Sequence, residues 1–137
     1  MFLLDTSVLS ALRSPTEFDV KLVDWANQQQ VYNLYISSIS VLELKLAILQ
    51  KRKTNAAQGE LLNTWFQKQV LQGFKGRIVA FDAEMAEYCA ALHVANPKSE
   101  RDAMIAATCL ANNMTLVTRS PADYKHIKIH IINPWEA

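Results

Sequence analysis

An α/β domain, with a small and mostly parallel sheet sandwiched between helices, follows from three features of the sequence. Short apolar runs alternate with longer segments whose apolar residues recur at helical spacing. Breakers are few, with 3 Gly and 4 Pro, and no repeat or low-complexity stretch divides the chain. Half the residues are hydrophobic and the charges nearly cancel, 14 Lys and Arg against 13 Asp and Glu, which suits one domain over residues 1–137.

Taken in order, Phe2-Leu3-Leu4 reads as a buried strand that stops at Asp5, and helical spacing follows over residues 8–12 and 20–25. Leu34-Tyr35-Ile36 predicts a second strand, followed by helices over 42–49 and 61–71. Ile78-Val79-Ala80 predicts a third, followed by helices over 85–92 and 104–110, and Thr115-Leu116-Val117 a fourth. The segment 126–131, His-Ile-Lys-Ile-His-Ile, alternates with period two and predicts an edge strand with one wet face. In open sheets of this class ligands sit at the carboxyl ends of the strands, so polar residues directly after the apolar runs draw attention.

Composition excludes several classes. The start has no basic segment ahead of its apolar residues, so no signal peptide is expected. No apolar run approaches the roughly 18 residues that cross a bilayer, which points to the cytoplasm and away from membranes. Cys89 and Cys109 stand 20 residues apart in helix-like apolar stretches and read as packing thiols. The net charge of +1 neither demands nor excludes nucleic acid. Lys51, Arg52 and Lys53 suit the solvated end of a helix, while with Lys45 they offer a second reading as a basic path for a polyanion.

Three carboxylates fall at junctions into helices. Asp5 follows the first strand, Ser40 and Glu43 have the spacing of a capping box, and Ser99 and Asp102 repeat it. Caps explain each one singly. Together, acids converging on one cleft would repel one another and either hold protons or bind a cation. Oxygen-only ligands suit Mg²⁺ or Mn²⁺, the ions of metal-assisted phosphodiester hydrolysis. Zinc lacks ligands at suitable spacing, since His93 stands alone and four residues of strand would hold His126 and His130 about 13 Å apart. Phosphate-loop and serine-nucleophile motifs are absent.

Four segments in order, Phe-Leu-Leu-Asp5-Thr-Ser-Val-Leu, Ile-Ser-Ser-Ile-Ser-Val-Leu-Glu43-Leu, Arg-Asp102-Ala-Met-Ile-Ala-Ala and Leu-Val-Thr-Arg119-Ser-Pro-Ala-Asp123-Tyr, resemble the PIN-domain ribonucleases. The closing Ile-Asn-Pro-Trp135 is similar to VapC-type toxins and their FitB-like relatives. The resemblance implies a PIN-like fold and a magnesium-dependent endoribonuclease, with Mn²⁺ as a substitute ion. It also implies the toxin half of a type II toxin-antitoxin pair, a homodimer that cuts transfer or ribosomal RNA. A VapB-like antitoxin would inhibit it and would make the only contact with DNA. The alternative is a FitB-like regulator working mainly in a DNA-binding complex with that partner; a flap nuclease is disfavoured for want of an appended domain.

Carried over residue by residue, Asp5 and Asp102 would be the principal metal ligands, with Glu43 completing the cluster. Many relatives have Asn or Asp directly after Thr-Arg, where this chain has Ser120, so the fourth position falls to Asp123 or to the Ser120 hydroxyl. Thr6, Arg119 and Ser120 are the expected substrate contacts, with a salt bridge to Asp123 or Asp102 as the competing reading of Arg119. Trp25, Trp65 and Phe66 read as packing residues, Trp135 as a pin for the C-terminus, and Tyr124 as a possible stacking platform for a base.

Overall fold

The structure, a computed structural model, describes residues 1–95 and 99–136. Strands β1 (Phe2–Leu4), β2 (Leu34–Ser37), β3 (Ile78–Val79), β4 (Thr115–Val117) and β5 (Ile131–Ile132) are interleaved with six α-helices. These are α1 (Thr6–Arg13), α2 (Val20–Asn27), α3 (Ser38–Thr54), α4 (Ala56–Trp65), α5 (Ala83–Ala95) and α6 (Glu100–Asn112). All strand pairs are parallel and the sheet order is β3-β2-β1-β4-β5. The chain therefore leaves central β1 toward one edge and later returns to its other side, making the carboxyl end of β1 the switch point of the sheet.

Side-chain alternation along the strands builds two cores. Leu4, Ile36 and Val117 face a layer with Val8 and Leu9 of α1, Leu22 of α2, Leu44 and Ile48 of α3, and Phe66 and Val70. Leu3 and Leu116 point the other way, onto Ile105, Ala106 and Cys109 of α6 with Tyr124 and Ile127. Both faces are covered, which is why the strands read as unbroken apolar runs. Three buried alanines, Ala103, Ala106 and Ala107, let α6 lie close on the sheet. Trp25 meets Phe2 edge-on at 5.3 Å, as a packing residue should.

Three sequence expectations are corrected. Segment 126–131 is strand only at its last residue: Ile127 is buried, its N–H donates to Tyr124 O, and the Ile129 N–H turns back to Ile127 O, so pairing with β4 begins at the His130 carbonyl, which accepts from Leu116 N–H, and runs through Ile131 and Ile132. The alternation is that of a loop whose Ile127, Ile129 and Ile131 pack on the second core while His126, Lys128 and His130 stay exposed, and the expected edge position holds. The 61–71 helix is α4 ending at Trp65 and running on as a π-helical stretch, Phe66–Gln72. Ser40 and Glu43 form no capping box, because α3 begins earlier with Ser37 as its cap, the Ser37 hydroxyl accepting from Ile39 N–H at 3.0 Å. That shift by one turn moves Ser40 and Glu43 inside the helix.

Near the C-terminus Trp135 Nε1 donates to Asp19 Oδ1 at 2.9 Å, while Asp19 Oδ2 accepts from the Thr16 N–H at 2.9 Å and hydroxyl at 3.1 Å. The tryptophan thus ties the chain end to the turn before α2. The Thr16 N–H bond, then Trp135, hold the Asp19 carboxyl below its ordinary value of 3.8. A lowered folded pKa contributes stability above the unfolded value, lost as pH falls through the folded one. Melting temperatures of wild type and Asp19→Asn should therefore differ most above about pH 4 and converge in stronger acid, a comparison that thermal melts across pH will check.

Candidate active site

Asp5 stands where β1 ends. Its N–H completes the ladder to Val117 O at 2.9 Å, and its side chain caps α1 through Thr6 N–H at 2.8 Å. The cap expected from sequence is present, and the same carboxylate has a second oxygen to use. Asp5 Oδ2 accepts from Thr118 Oγ1 at 2.8 Å. Thr118 is fully buried just past β4, and its hydroxyl also accepts from Ser120 N–H at 3.1 Å.

Glu43 comes from α3. Thr6 Oγ1 donates to Glu43 Oε1 at 2.8 Å and lies 2.9 Å from the Ser40 hydroxyl. A hydroxyl has one proton, so a Thr6 that gives its own to Glu43 accepts from Ser40. Ser40 is fully buried, and the chain Ser40, Thr6, Glu43 fixes one carboxylate oxygen across 37 residues of sequence. On the other oxygen, Arg101 Nη1 lies 3.8 Å from Glu43 Oε2.

Asp102 sits in the first turn of α6, capped by Ser99, whose hydroxyl accepts from Asp102 N–H at 3.5 Å. Its Oδ1 accepts from the Tyr124 hydroxyl at 3.3 Å. Tyr124 is buried in the core beneath the acids, so the expected stacking of a base on its ring is corrected: no face of the ring is open. Asp123 is exposed on the turn Pro121–Tyr124, which the proline opens as expected.

The electrostatics bind these residues together. Burial is the main cause that raises the Asp5 carboxyl above 3.8, the Glu43 and Asp123 charges add to it, and the bonds from Thr118 and Thr6 oppose it. Burial, then the charges of Asp5 and Asp102, push the Tyr124 phenol up. Burial, then the Asp5 charge, push the Cys109 thiol up to about 12, consistent with a packing residue under the cleft. Four acids from four separate segments thus act on one small region.

Among the described residues, no three His, Cys, Asp or Glu side chains form a group that could hold a metal ion as they lie. The donor chemistry fits a hard cation nonetheless, being carboxylate and hydroxyl oxygen, and Mg²⁺ usually takes one or two carboxylates and keeps several waters. Of the expected substrate contacts, Thr6 lies in the cleft as a partner of Glu43 and Ser120 is exposed beside Thr118. Arg119 is held elsewhere: its guanidinium lies 5.0 Å from the centre of the Trp135 ring, where its charge acts on Asp19. Lys45, weighed as a path for RNA, donates to Asn63 at 2.8 Å and lies over Phe66.

Sequence reasoning missed Arg101, Ser40 and Thr118 as members of the site. Ser40 and Thr118 lie inside the motifs quoted above, yet a neutral hydroxyl in a helix or after a strand gives no signal until its distant carboxylate is known.

A PIN domain model matches residues 2–128. The plasmid stability protein StbB of Pseudomonas syringae pv. tomato is 35% identical over the whole of both chains. A VapC ribonuclease of Sinorhizobium fredii is 30% identical over 99% of each. The crystal structure of FitAcB from Neisseria gonorrhoeae superposes with a TM-score of 0.89 at 27% identity, covering all of both chains. Further structural neighbours are toxin-antitoxin complexes, some of them solved with DNA. No helix among the described residues is long and apolar enough to cross a membrane.

The raised Asp5 pKa carries a sign. A folded acid that binds its proton more tightly than the unfolded chain loses stability as pH rises from 3.8 through the folded value. Asp5→Asn, which keeps an acceptor for Thr6 N–H, should therefore melt higher than wild type at neutral pH, the gain vanishing below about pH 4. Calorimetric melts over that range will test it.

Proposed function

Since this chain belongs to the PIN-domain family, we propose that it is a metal-dependent endoribonuclease, one domain in extent, acting as the toxin of a type II toxin-antitoxin pair. The observation that carries the reading is Asp5 at the switch point of a parallel sheet, with the charges of Glu43 and Asp123 acting on its carboxyl and Asp102 tied to the Tyr124 hydroxyl on which the Asp5 charge also acts. Similarity to a VapC ribonuclease supports the activity, and toxin-antitoxin complexes among the structural neighbours support the pairing.

In this reading Asp5 and Asp102, with Glu43, hold Mg²⁺ or Mn²⁺, and Asp123 or Ser120 supplies the fourth position. When bound, such an ion polarises a phosphoryl oxygen and makes a coordinated water more acidic. The chain's own residues fix the geometry. Thr118 orients Asp5 by donating to Oδ2, and Thr6 orients Glu43 by donating to Oε1. The Tyr124 hydroxyl and the Ser99 cap steady Asp102. Each of these three carboxylates is thus oriented by a hydroxyl that donates to one of its oxygens and leaves the other open to further contacts.

The substrate is structured RNA, transfer or ribosomal, read by shape and at unpaired loops. A VapB-like antitoxin inhibits the enzyme and makes the contact with DNA, and the toxin works as a cytoplasmic homodimer.

Purified protein incubated with cellular RNA should generate discrete cleavage ends in Mg²⁺ or Mn²⁺ and none once divalent ions are chelated. Asp5→Asn should fold and leave the RNA intact, because Asn still caps α1 but brings no charge. Cleavage by that variant at the wild-type rate would sink the metal role. Single-turnover rates should fall in order: Asp102→Ala abolishes cleavage, Glu43→Ala impairs it severely, and Asp123→Ala costs about tenfold, or ~1.4 kcal/mol of transition-state stabilisation. An Asp123→Ala loss as large as that of Asp102→Ala would make Asp123 a full ligand.

A further inference from the structure

We propose that Arg101, rather than Arg119, is the cation that meets a substrate phosphate in the cleft, and that Glu43 holds it in readiness there. The inference rests on the nuclease reading and deepens it. Arg101 directly precedes Asp102 in the first turn of α6, and its Nη1 reaches across to Glu43 Oε2 on α3 at 3.8 Å. The side chains of the pair are 46% and 25% exposed, so the guanidinium spans the cleft at its solvent side.

Three physical points favour this role. First, a long, half-exposed ion pair is weak and screened by salt, so little is lost when the guanidinium turns to another anion. Second, Glu43 does not depend on Arg101 for its orientation, because Thr6 Oγ1 already donates to Oε1 at 2.8 Å. The carboxylate stays in place when the arginine leaves. Third, a planar guanidinium presents paired donors that match two phosphate oxygens, and a polyanion approaching four acids needs such a charge close by. Arg119 is drawn to Trp135 and Asp19, and Lys45 to Asn63 and Phe66.

The same position has a consequence for cations. A guanidinium on Glu43 opposes the charge of any divalent ion that approaches this carboxylate. Removing it should tighten the hold on metal while loosening the hold on RNA. Opposite signs from one substitution are not what damage to the fold produces.

The test uses the full chain as wild type, Arg101→Gln, Arg101→Lys and Arg119→Gln, with melts to confirm folding. Mn²⁺ alone is titrated calorimetrically. A fluorescein-labelled single-stranded oligoribonucleotide is titrated by anisotropy in Ca²⁺ at several salt concentrations. Arg101→Gln should bind Mn²⁺ several-fold more tightly and RNA several-fold more weakly. Its dependence of log affinity on log salt should be shallower by about 0.7, the loss of one phosphate contact on a single strand. Arg101→Lys should keep the slope and lose part of the affinity. An unchanged slope in Arg101→Gln against a wild type that binds, or a drop in slope confined to Arg119→Gln, overturns the assignment alone. A wild type that binds Mn²⁺ but no RNA overturns the nuclease reading and the phosphate role with it.

Discussion

The Thr118 hydroxyl is the hinge of the whole arrangement. It joins the carboxyl ends of β1 and β4 by donating to Asp5 Oδ2, on the side of β1 where the sheet order reverses. A carboxylate drawn out of water needs donors, and a buried group left without one costs about 1–3 kcal/mol. Asp5 has two, the Thr6 N–H and Thr118, one from each side of the switch point. The Ser120 N–H bond back to Thr118 then sets the course of the chain toward the turn that carries Asp123 and Tyr124. Through that hydroxyl the sheet, the cap of α1 and the acidic cleft become one mechanical unit.

Much of the fold was legible because burial on both faces writes itself into a parallel strand. β1 and β4 lie where their apolar runs predicted, and the helical periods of 8–12, 20–25 and 104–110 fall inside α1, α2 and α6. The failures share a cause. At 126–131 a loop that packs Ile127, Ile129 and Ile131 on the core gives the alternation of a strand, since periodicity records which side chains are covered and not what covers them. At Ser40 and Glu43 a local spacing rule competed with a better cap one turn earlier, and the fully buried Ser37 won.

In the site, the acids were legible and their supports were not. Asp5, Glu43 and Asp102 stand out in the sequence because each is a carboxylate at a junction where a helix is expected to begin, and such acids are chemically loaded. Ser40, Thr118 and Arg101 act through bonds to residues 34, 113 and 58 positions away, a relation that exists only once the chain is folded. Arg119 shows the complementary limit: its nearness in sequence to Thr118 suggests the cleft, while its guanidinium lies against the Trp135 ring. Tyr124 shows both cases at once, its ring serving the core and its hydroxyl the cleft.

The sheet ends on both sides in strands of two residues, Ile78–Val79 and Ile131–Ile132. An extended peptide that joins a sheet by its backbone needs a rail of unpaired N–H and C=O groups several residues long. Neither margin offers one. Backbone pairing at the sheet margins can therefore supply little of a contact with another protein, and the side chains of the helices and loops offer the larger surface. A domain of this build can keep one chemistry in its centre and change its companions at the periphery, with mismatched pairs rejected by shape and charge.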